Sequence, residues 1–209
     1  MSQKDPEKYH FLVKLALESG AADAKIIPAN QVIVEDRVVL KCKSCKHYGE
    51  TLACPPYTPS AEQFRKIVLE YSYAMFMKFS TTASVDSEVY PHLMTYLTND
   101  SLSKEIKDKA AKFWQDWKES KYKILQSIVG LEKAAMKQGY SLAMAFVSGH
   151  CQLCDKCNTD TKICRHPEIM RISEDAIGVN VKKTAANAGI AFQFPFTSSA
   201  ESFGLLLIE

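Results

Sequence analysis

The sequence CQLCDKC occupies residues 151–157, and a further cysteine, Cys164, follows after six more residues. Cys151, Cys154 and Cys157 are each separated by two residues, so their side chains can surround one face of a small inorganic cube, and Cys164 can bind the remaining corner from a short loop. Zinc sites usually use pairs of cysteines separated by a longer segment. Most of the intervening residues are polar or charged, which argues against buried structural cysteines. The run therefore predicts a [4Fe–4S] cluster.

A second group of three cysteines lies upstream, at Cys42, Cys45 and Cys54. Two prolines follow Cys54, and because proline lacks a backbone donor and restricts its neighbours, we expect them to hold the chain extended and to present Cys54 from a stiff, non-helical segment. Three thiolates can hold three irons of a second cube, and a Cys-Pro segment also recurs in ferredoxin-type runs. Alternatively, the three thiolates and His47 form a tetrahedral zinc site, or His47 is a surface residue with no ligand role.

Composition limits the class of protein. The chain has 209 residues, of which 46% are hydrophobic and 24% charged, values that are ordinary for a globular protein of one domain. The net charge of +2 comes from interleaved acids and bases, so no nucleic-acid partner is expected. We see no signal peptide and no apolar run of membrane-spanning length, and we expect a cytoplasmic protein without a membrane partner. In that reducing compartment, seven cysteines are better explained as metal ligands than as disulfides.

The periodicity of apolar residues predicts both helices and strands. Asp5 is expected to cap a first helix, Ser60 and Gln63 form a capping box, and 103–138 reads as one long helix or two in tandem. Shorter elements are expected as strands at 24–28, 31–34, 73–79, 141–147 and 203–208, as a helix at 181–188, and as a loop at 192–202.

These elements predict a single α+β domain over residues 1–209, with a mixed β-sheet of about four to six strands covered by helices. The segments 36–58 and 148–170 are expected to form a cysteine-rich iron–sulfur cluster lobe. Because residues near 45 and near 155 both look like loops at strand ends, we expect the two segments to lie on the same side of the sheet.

With both cysteine groups identified, the sequence resembles a family of predicted metal-binding proteins, domain of unknown function 2284. The matching features are the motifs Lys41-Cys42-x-x-Cys45-x-x-Tyr48-Gly49, Cys54-Pro55-Pro56, the ferredoxin-like run 151–164, and Arg171-x-Ser173-x-x-Ala176-x-Gly178-Val179. The chain departs from the family pattern at Ile172, where proline is usual, and at Asn180, where an acid is usual. The resemblance implies metal binding in anaerobic or facultative microbes, and it implies no settled reaction.

The number of cysteines leaves several ligand arrangements open. Two closed [4Fe–4S] cubes need eight protein ligands, and the chain has seven cysteines. The three-cysteine group can hold a cube with one open iron, or His47, His150 or His166 can supply the eighth ligand. Cys164 can instead cross to the other cluster, as the last cysteine does in two-cluster ferredoxins. The three-cysteine group can also hold zinc, or nothing.

The ligand count suggests a division of function. We expect the closed cluster to transfer electrons, and a second cluster with an open iron to bind a small-molecule substrate or a ligand from a redox partner protein, in anaerobic metabolism. As an enzyme, the protein would be an iron–sulfur-dependent oxidoreductase, or of the sulfur-transfer or lyase type, with a pocket beside Cys54 lined by groups such as Arg37, Lys41, Tyr48 or Tyr57. The alternatives are a ferredoxin-like electron carrier without catalysis and a zinc-stabilised interaction module. The sequence identifies no catalytic residue and no oligomeric state.

Overall fold

The structure is a computed structural model that describes residues 6–196 and 199–209. Its strands are β1 (Asp23–Pro28), β2 (Tyr73–Ser84), β3 (Met144–Val147) and β4 (Ser199–Leu207). Its α-helices are α1 (His10–Glu18), α2 (Asp36–Lys43), α3 (Ala61–Val68), α4 (Lys104–Lys137) and α5 (Val181–Asn187). Short 3-10 turns lie at Pro6–Tyr9, Ala29–Gln31, Tyr90–His92 and Asp175–Ile177.

The four strands form one sheet in the order β1-β2-β4-β3, and every adjacent pair is antiparallel. The expectation of a mixed sheet was therefore wrong, and the strand order explains why. Strands β2 and β3 run in the same direction and are joined through α4, as in a parallel crossover. However, β4 lies between them and pairs with both, so no two neighbouring strands are parallel.

Both faces of the sheet are buried, because side chains on alternate strand positions enter two separate cores. On β2, Met75, Met77 and Phe79 pack on one side with residues of α1 and α4. Ala74 and Phe76 pack on the other side with residues of α3 and α5. Successive side chains of the strand point to opposite faces of the sheet, and helices cover both faces. This arrangement confirms the α+β class.

Several local predictions are confirmed. Ser60 and Gln63 form the predicted capping box at the start of α3. The segment 103–138 forms the single helix α4, which begins after Ser103, whose hydroxyl accepts a hydrogen bond from the backbone N–H of Ile106. At 34 residues, α4 is about 50 Å long. No helix in the described ranges is sufficiently long and apolar to cross a membrane.

Other local predictions differ from the structure. Segment 31–34 contributes only one isolated bridge, between Val34 and Val179, instead of a strand. Residues 199–202, expected as loop, belong to β4, where pairing with β2 overrides their weak strand propensity. Helix α2 had no counterpart in the sequence prediction. Asp5, the expected cap of the first helix, lies outside the described residues.

Gly178 occupies a position that requires glycine. Its φ angle is +84°, and a Cβ atom added there would lie 2.7 Å from Ala61 Cβ and 3.1 Å from the carbonyl oxygen of Glu35. We expect Gly178→Ala to lower the free energy of unfolding by at least about 2 kcal/mol, because backbone strain and overpacking add. Urea unfolding followed by circular dichroism measures this change.

Gly130 provides the matched control for that substitution. It is exposed within α4, and an added Cβ would meet nothing within 4 Å. Since alanine is the better helix former, Gly130→Ala should raise the free energy of unfolding by about 0.5–1 kcal/mol. Equal effects from the two substitutions would contradict the assignment of Gly178 as a required glycine.

Candidate metal centre

The four-cysteine run lies on a loop whose two ends meet at the last residue of β3. The backbone N–H of Val147 donates to the carbonyl of Ile172 at 3.1 Å, and the carbonyl of Val147 accepts from the N–H of Glu174 at 3.2 Å. Val147 and Ser173 form the corresponding isolated parallel bridge. The segment 148–170 is therefore held against the rigid sheet at its entry and at its exit, which is a suitable support for a ligand loop.

All four cysteines of the run line one cavity of about 20 Å³, together with residues of the upstream segment. The lining includes Cys151, Cys154, Cys157 and Cys164, and it also includes Thr51, Leu52, Ala53, Leu153, Asn158, Arg165, His166 and Met170. A cavity of that volume has room for about one water molecule.

The three upstream cysteines differ in how far their side chains are exposed to solvent. Cys42 lies in the last turn of α2 and is half-buried, Cys45 is exposed in the following turn, and Cys54 is buried. The N–H of Cys54 donates to the carbonyl of Thr51 at 3.0 Å, and the peptide bond between Pro55 and Pro56 is cis. The segment around Cys54 is therefore non-helical, as expected, but it consists of consecutive turns instead of the expected extended chain.

The two cysteine segments are in contact with each other. The backbone N–H of Leu52 donates to Cys157 Sγ at 3.5 Å, across 105 residues of sequence. The rings of His47 and His150 stack with their centroids 3.5 Å apart and their planes at 14°. Residues that flank one cysteine group therefore form part of the surroundings of the other.

Backbone N–H groups point at three of the cysteine sulfurs. Besides the bond from Leu52 to Cys157, the N–H of His47 donates to Cys45 Sγ at 3.5 Å, and that of His166 donates to Cys164 Sγ at 3.3 Å. Hydrogen bonds of this kind stabilise negative charge on a sulfur atom, and around iron–sulfur clusters they help to set the reduction potential.

All seven cysteines are free thiols, and burial favours their protonated form at three positions. Burial raises the pKa of Cys42 to about 11, with a further contribution from the charge of Asp175, and it also raises the pKa values of Cys54 and Cys151. Within the part of the chain that the structure describes, no three histidine, cysteine, aspartate or glutamate side chains converge on a position for one metal ion.

The three histidines considered as eighth ligands differ in their surroundings. His150 is the most buried, and burial lowers its pKa to about 4, so its ring is neutral at physiological pH. Burial also lowers the pKa of His47. His166 lines the cavity of the four-cysteine run, and its ring lies 3.9 Å from the carboxylate of Glu168. The geometry brings His47 and His150 to the junction of the two cysteine groups.

The side chains expected to line a pocket beside Cys54 are not among those that line the cavity of the four-cysteine run. Arg37 donates to Glu35 at 2.7 Å, and Lys41, Tyr48 and Tyr57 are exposed. The cavity described above lies at the other cysteine group.

A buried ion pair, which sequence analysis missed, secures the returning end of the cysteine loop. Glu132 of α4 accepts from Arg171 Nε at 2.8 Å and from the backbone N–H of Ala145 in β3 at 2.6 Å, and its second oxygen accepts from Arg171 Nη2. Arg171 also donates to the carbonyl of Met170 at 2.7 Å. The signals were available, because Arg171 lies in a quoted family motif and Glu132 interrupts the apolar stripe of α4.

Two further ionisable side chains, Lys121 and Glu174, are buried between α4 and the segment that follows the cysteine loop. Lys121 Nζ donates to Ser202 Oγ at 3.2 Å, and the carboxyl group of Glu174 is fully buried close to the hydroxyl of Ser148. Burial raises the pKa of Glu174 and lowers that of Lys121, so each neutral form is favoured relative to water. The neighbouring Asp175 connects this group to the cysteines, because its backbone carbonyl lies 3.9 Å from Cys42 Sγ.

Comparison with known proteins identifies a matching family. A family model described as "Predicted metal-binding protein (DUF2284)" matches residues 25–208, which include both cysteine groups, the Arg171 motif and every strand except the first two residues of β1. No curated protein and no solved structure matches the chain.

Proposed function

The chain belongs to the DUF2284 family of predicted metal-binding proteins, and from this we propose that it is an iron–sulfur protein that transfers electrons. In this proposal Cys151, Cys154, Cys157 and Cys164 hold one [4Fe–4S] cluster. The observation that carries the proposal is that these four thiols, from a single loop, line one cavity. A cluster held entirely by thiolates supplies one-electron transfer.

The donor set agrees with an iron–sulfur cluster in its chemistry. Each thiol is free, and backbone N–H groups donate to the sulfurs of Cys157 and Cys164, from Leu52 and from His166. The neighbouring Leu52, Ala53, Leu153 and Met170 cover the cavity with apolar atoms and limit the access of water. The protein therefore contributes ligands, hydrogen bonds to sulfur and partial burial, which are the features that tune such a cluster.

The three-cysteine group supports a second centre of a different kind. Cys42 and Cys54 are at least half-buried, whereas Cys45 lies at the surface. We propose that these three thiolates hold a second cluster with one position left open for a substrate or a partner's ligand. The reason is that two closed clusters need eight ligands, whereas the sequence contains seven cysteines. Zinc at this group is the alternative, with His47 as its fourth ligand.

Anaerobic purification followed by metal analysis tests this proposal. We expect about four irons and four sulfides per chain if only the four-cysteine run binds a cluster, and about seven or eight irons if both groups do. Mössbauer spectra should then show one iron site that changes when cyanide or a small thiolate is added. Zinc without iron or acid-labile sulfide would refute the electron-transfer function and favour a zinc-stabilised interaction module.

A further inference from the structure

A positively charged, exposed stretch of sequence contains the exposed cysteine of the upstream group. Lys41, Lys43 and Lys46 flank Cys45, and all four side chains are exposed. Exposed apolar and aromatic side chains lie in the same stretch and beside it. We call this surface the basic face and define it by Leu40, Lys41, Lys43, Lys46, Tyr48 and Tyr57, of which Leu40 is 62% exposed and Tyr48 is 41% exposed.

The basic face is continuous across its two segments. The N–H of Gly49 donates to the carbonyl of Pro55 at 2.9 Å, and the N–H of Tyr57 donates to the carbonyl of Cys54 at 3.1 Å. These bonds hold the turn after Tyr48 against the turn that carries Tyr57. The two tyrosines therefore belong to neighbouring parts of one surface.

The three lysines of the basic face have no ion-pair partner among residues 6–196 and 199–209. The acids at the start of α2 are engaged elsewhere, because Glu35 pairs with Arg37 and Lys183 and Asp36 pairs with Arg65. Between residues 40 and 57 the sequence contains one acid, Glu50, against these three lysines. Lys41 also acts electrostatically on the partly buried carboxyl group of Asp175, so the positive charge of the face is only partly compensated within the chain.

Helix stability explains only part of this arrangement. Lys41 and Lys43 lie in the last turn of α2, where a positive charge interacts favourably with the helix dipole. Lys46 lies beyond the helix, and Leu40 gains nothing from exposure to water. A hydrophobic and aromatic centre with charged side chains around it is instead typical of a protein-binding surface.

We propose that the basic face is the docking surface for an acidic electron-transfer protein. This inference rests on the proposed function, because it assumes that the group containing Cys45 carries a redox centre. The partner's centre gives one electron to the cluster, or accepts one from it, and no covalent bond is formed or broken. Cys45 is exposed and lies between Lys43 and Lys46 in the sequence, so a partner attracted by them would arrive next to the redox centre.

An acidic protein fits this surface better than a nucleic acid or a lipid membrane. A phosphate backbone is usually bound by a longer basic stripe, whereas the chain as a whole has a net charge of only +2. Leu40, Tyr48 and Tyr57 would contact the apolar centre of a protein interface, and the lysines would pair with carboxylates around it.

Electron exchange with an acidic plant-type [2Fe–2S] ferredoxin tests the proposal. One protein is reduced and mixed with the other in its oxidised form, in both directions, so that exchange is observed whichever centre has the higher potential. We expect the second-order rate constant to fall steeply as ionic strength rises from about 10 mM to about 500 mM. At low ionic strength the K41E/K43E/K46E variant should react at least about tenfold more slowly than the natural sequence.

A matched variant separates the local effect from the total charge. K118E/K123E/K133E makes the same change in net charge at exposed positions of α4, and we expect a rate constant within about twofold of the natural sequence. Equal rate constants for the two triple variants would overturn the proposal, as would a rate constant that does not depend on salt. Tight binding to polyuridylic acid or phosphatidylserine vesicles, with no salt-dependent exchange with ferredoxin, would also overturn it.

Iron and sulfide are measured in every sample used for these rates. A protein without iron refutes the proposed function itself. An iron-loaded protein whose exchange rate is insensitive to the three lysines refutes only the docking surface.

Discussion

The double variant Cys154→Ser/Cys157→Ser should lose about four irons and about four sulfides per chain compared with the natural sequence. Both thiols line the cavity of the four-cysteine run, and two remaining thiols cannot hold a four-iron cluster. Serine has nearly the shape of cysteine, so the loop itself should remain. Iron and sulfide analysis after anaerobic purification, together with visible absorption and EPR of the reduced protein, measures the loss.

Cys45→Ser provides the internal control for that experiment. Cys45 belongs to the other group and is exposed, so its replacement should remove iron only from the second centre and leave the EPR signal of the first unchanged. If both variants lose all iron, the seven cysteines hold a single shared centre and the proposed division into two groups is wrong. If neither loses iron, the cysteines are not the ligands.

Arg171→Met should lower the free energy of unfolding by about 3–5 kcal/mol, because it leaves the buried carboxylate of Glu132 without its cation. Both partners are almost fully buried, with 8% and 6% of their side-chain surfaces exposed. The pair also joins α4, β3 and the returning end of the cysteine loop, so the same variant should bind iron less tightly. Urea unfolding of the metal-free protein isolates the effect on stability.

Two further variants separate the ion pair from its surroundings. Arg37→Met breaks a pair with Glu35 in which the arginine side chain is 66% exposed, and Lys183 and Asn180 still contact Glu35, so we expect no resolvable change in stability. Glu132→Met/Arg171→Met removes both charges and should recover part of the loss. Recovery stays incomplete, since the backbone N–H of Ala145 then loses its acceptor. A fully stable Arg171→Met variant would show that the carboxylate finds another partner.

Local sequence signals predicted the elements that depend on neighbouring residues. The periodicity of α4, the capping box at Ser60 and the apolar content of β2 were each sufficient, because backbone hydrogen bonds and caps act over a few residues. The two cysteine groups could also be recognised as ligand sets, since the spacing within each group is a local property.

Contacts between distant segments could not be predicted in the same way. Strand β4 lies between β2 and β3, although it follows both of them in the sequence. This strand order depends on contacts between distant segments, and no local pattern encodes it. The same holds for the pairing of Glu132 with Arg171. The apolar stripe of α4 identified a buried face, but the partner of a charge on that face is chosen by packing.

The sequence by itself determined the types of most elements, the identity of the seven candidate ligands and membership of a metal-binding family. Only the tertiary structure decided that Leu52 contacts Cys157, that His47 stacks on His150 and that Cys45 stays at the surface among lysines. The physical reason is the range of the forces involved. Capping, periodicity and ligand spacing act along a few residues, whereas burial and exposure are properties of the whole packed sheet and its helices.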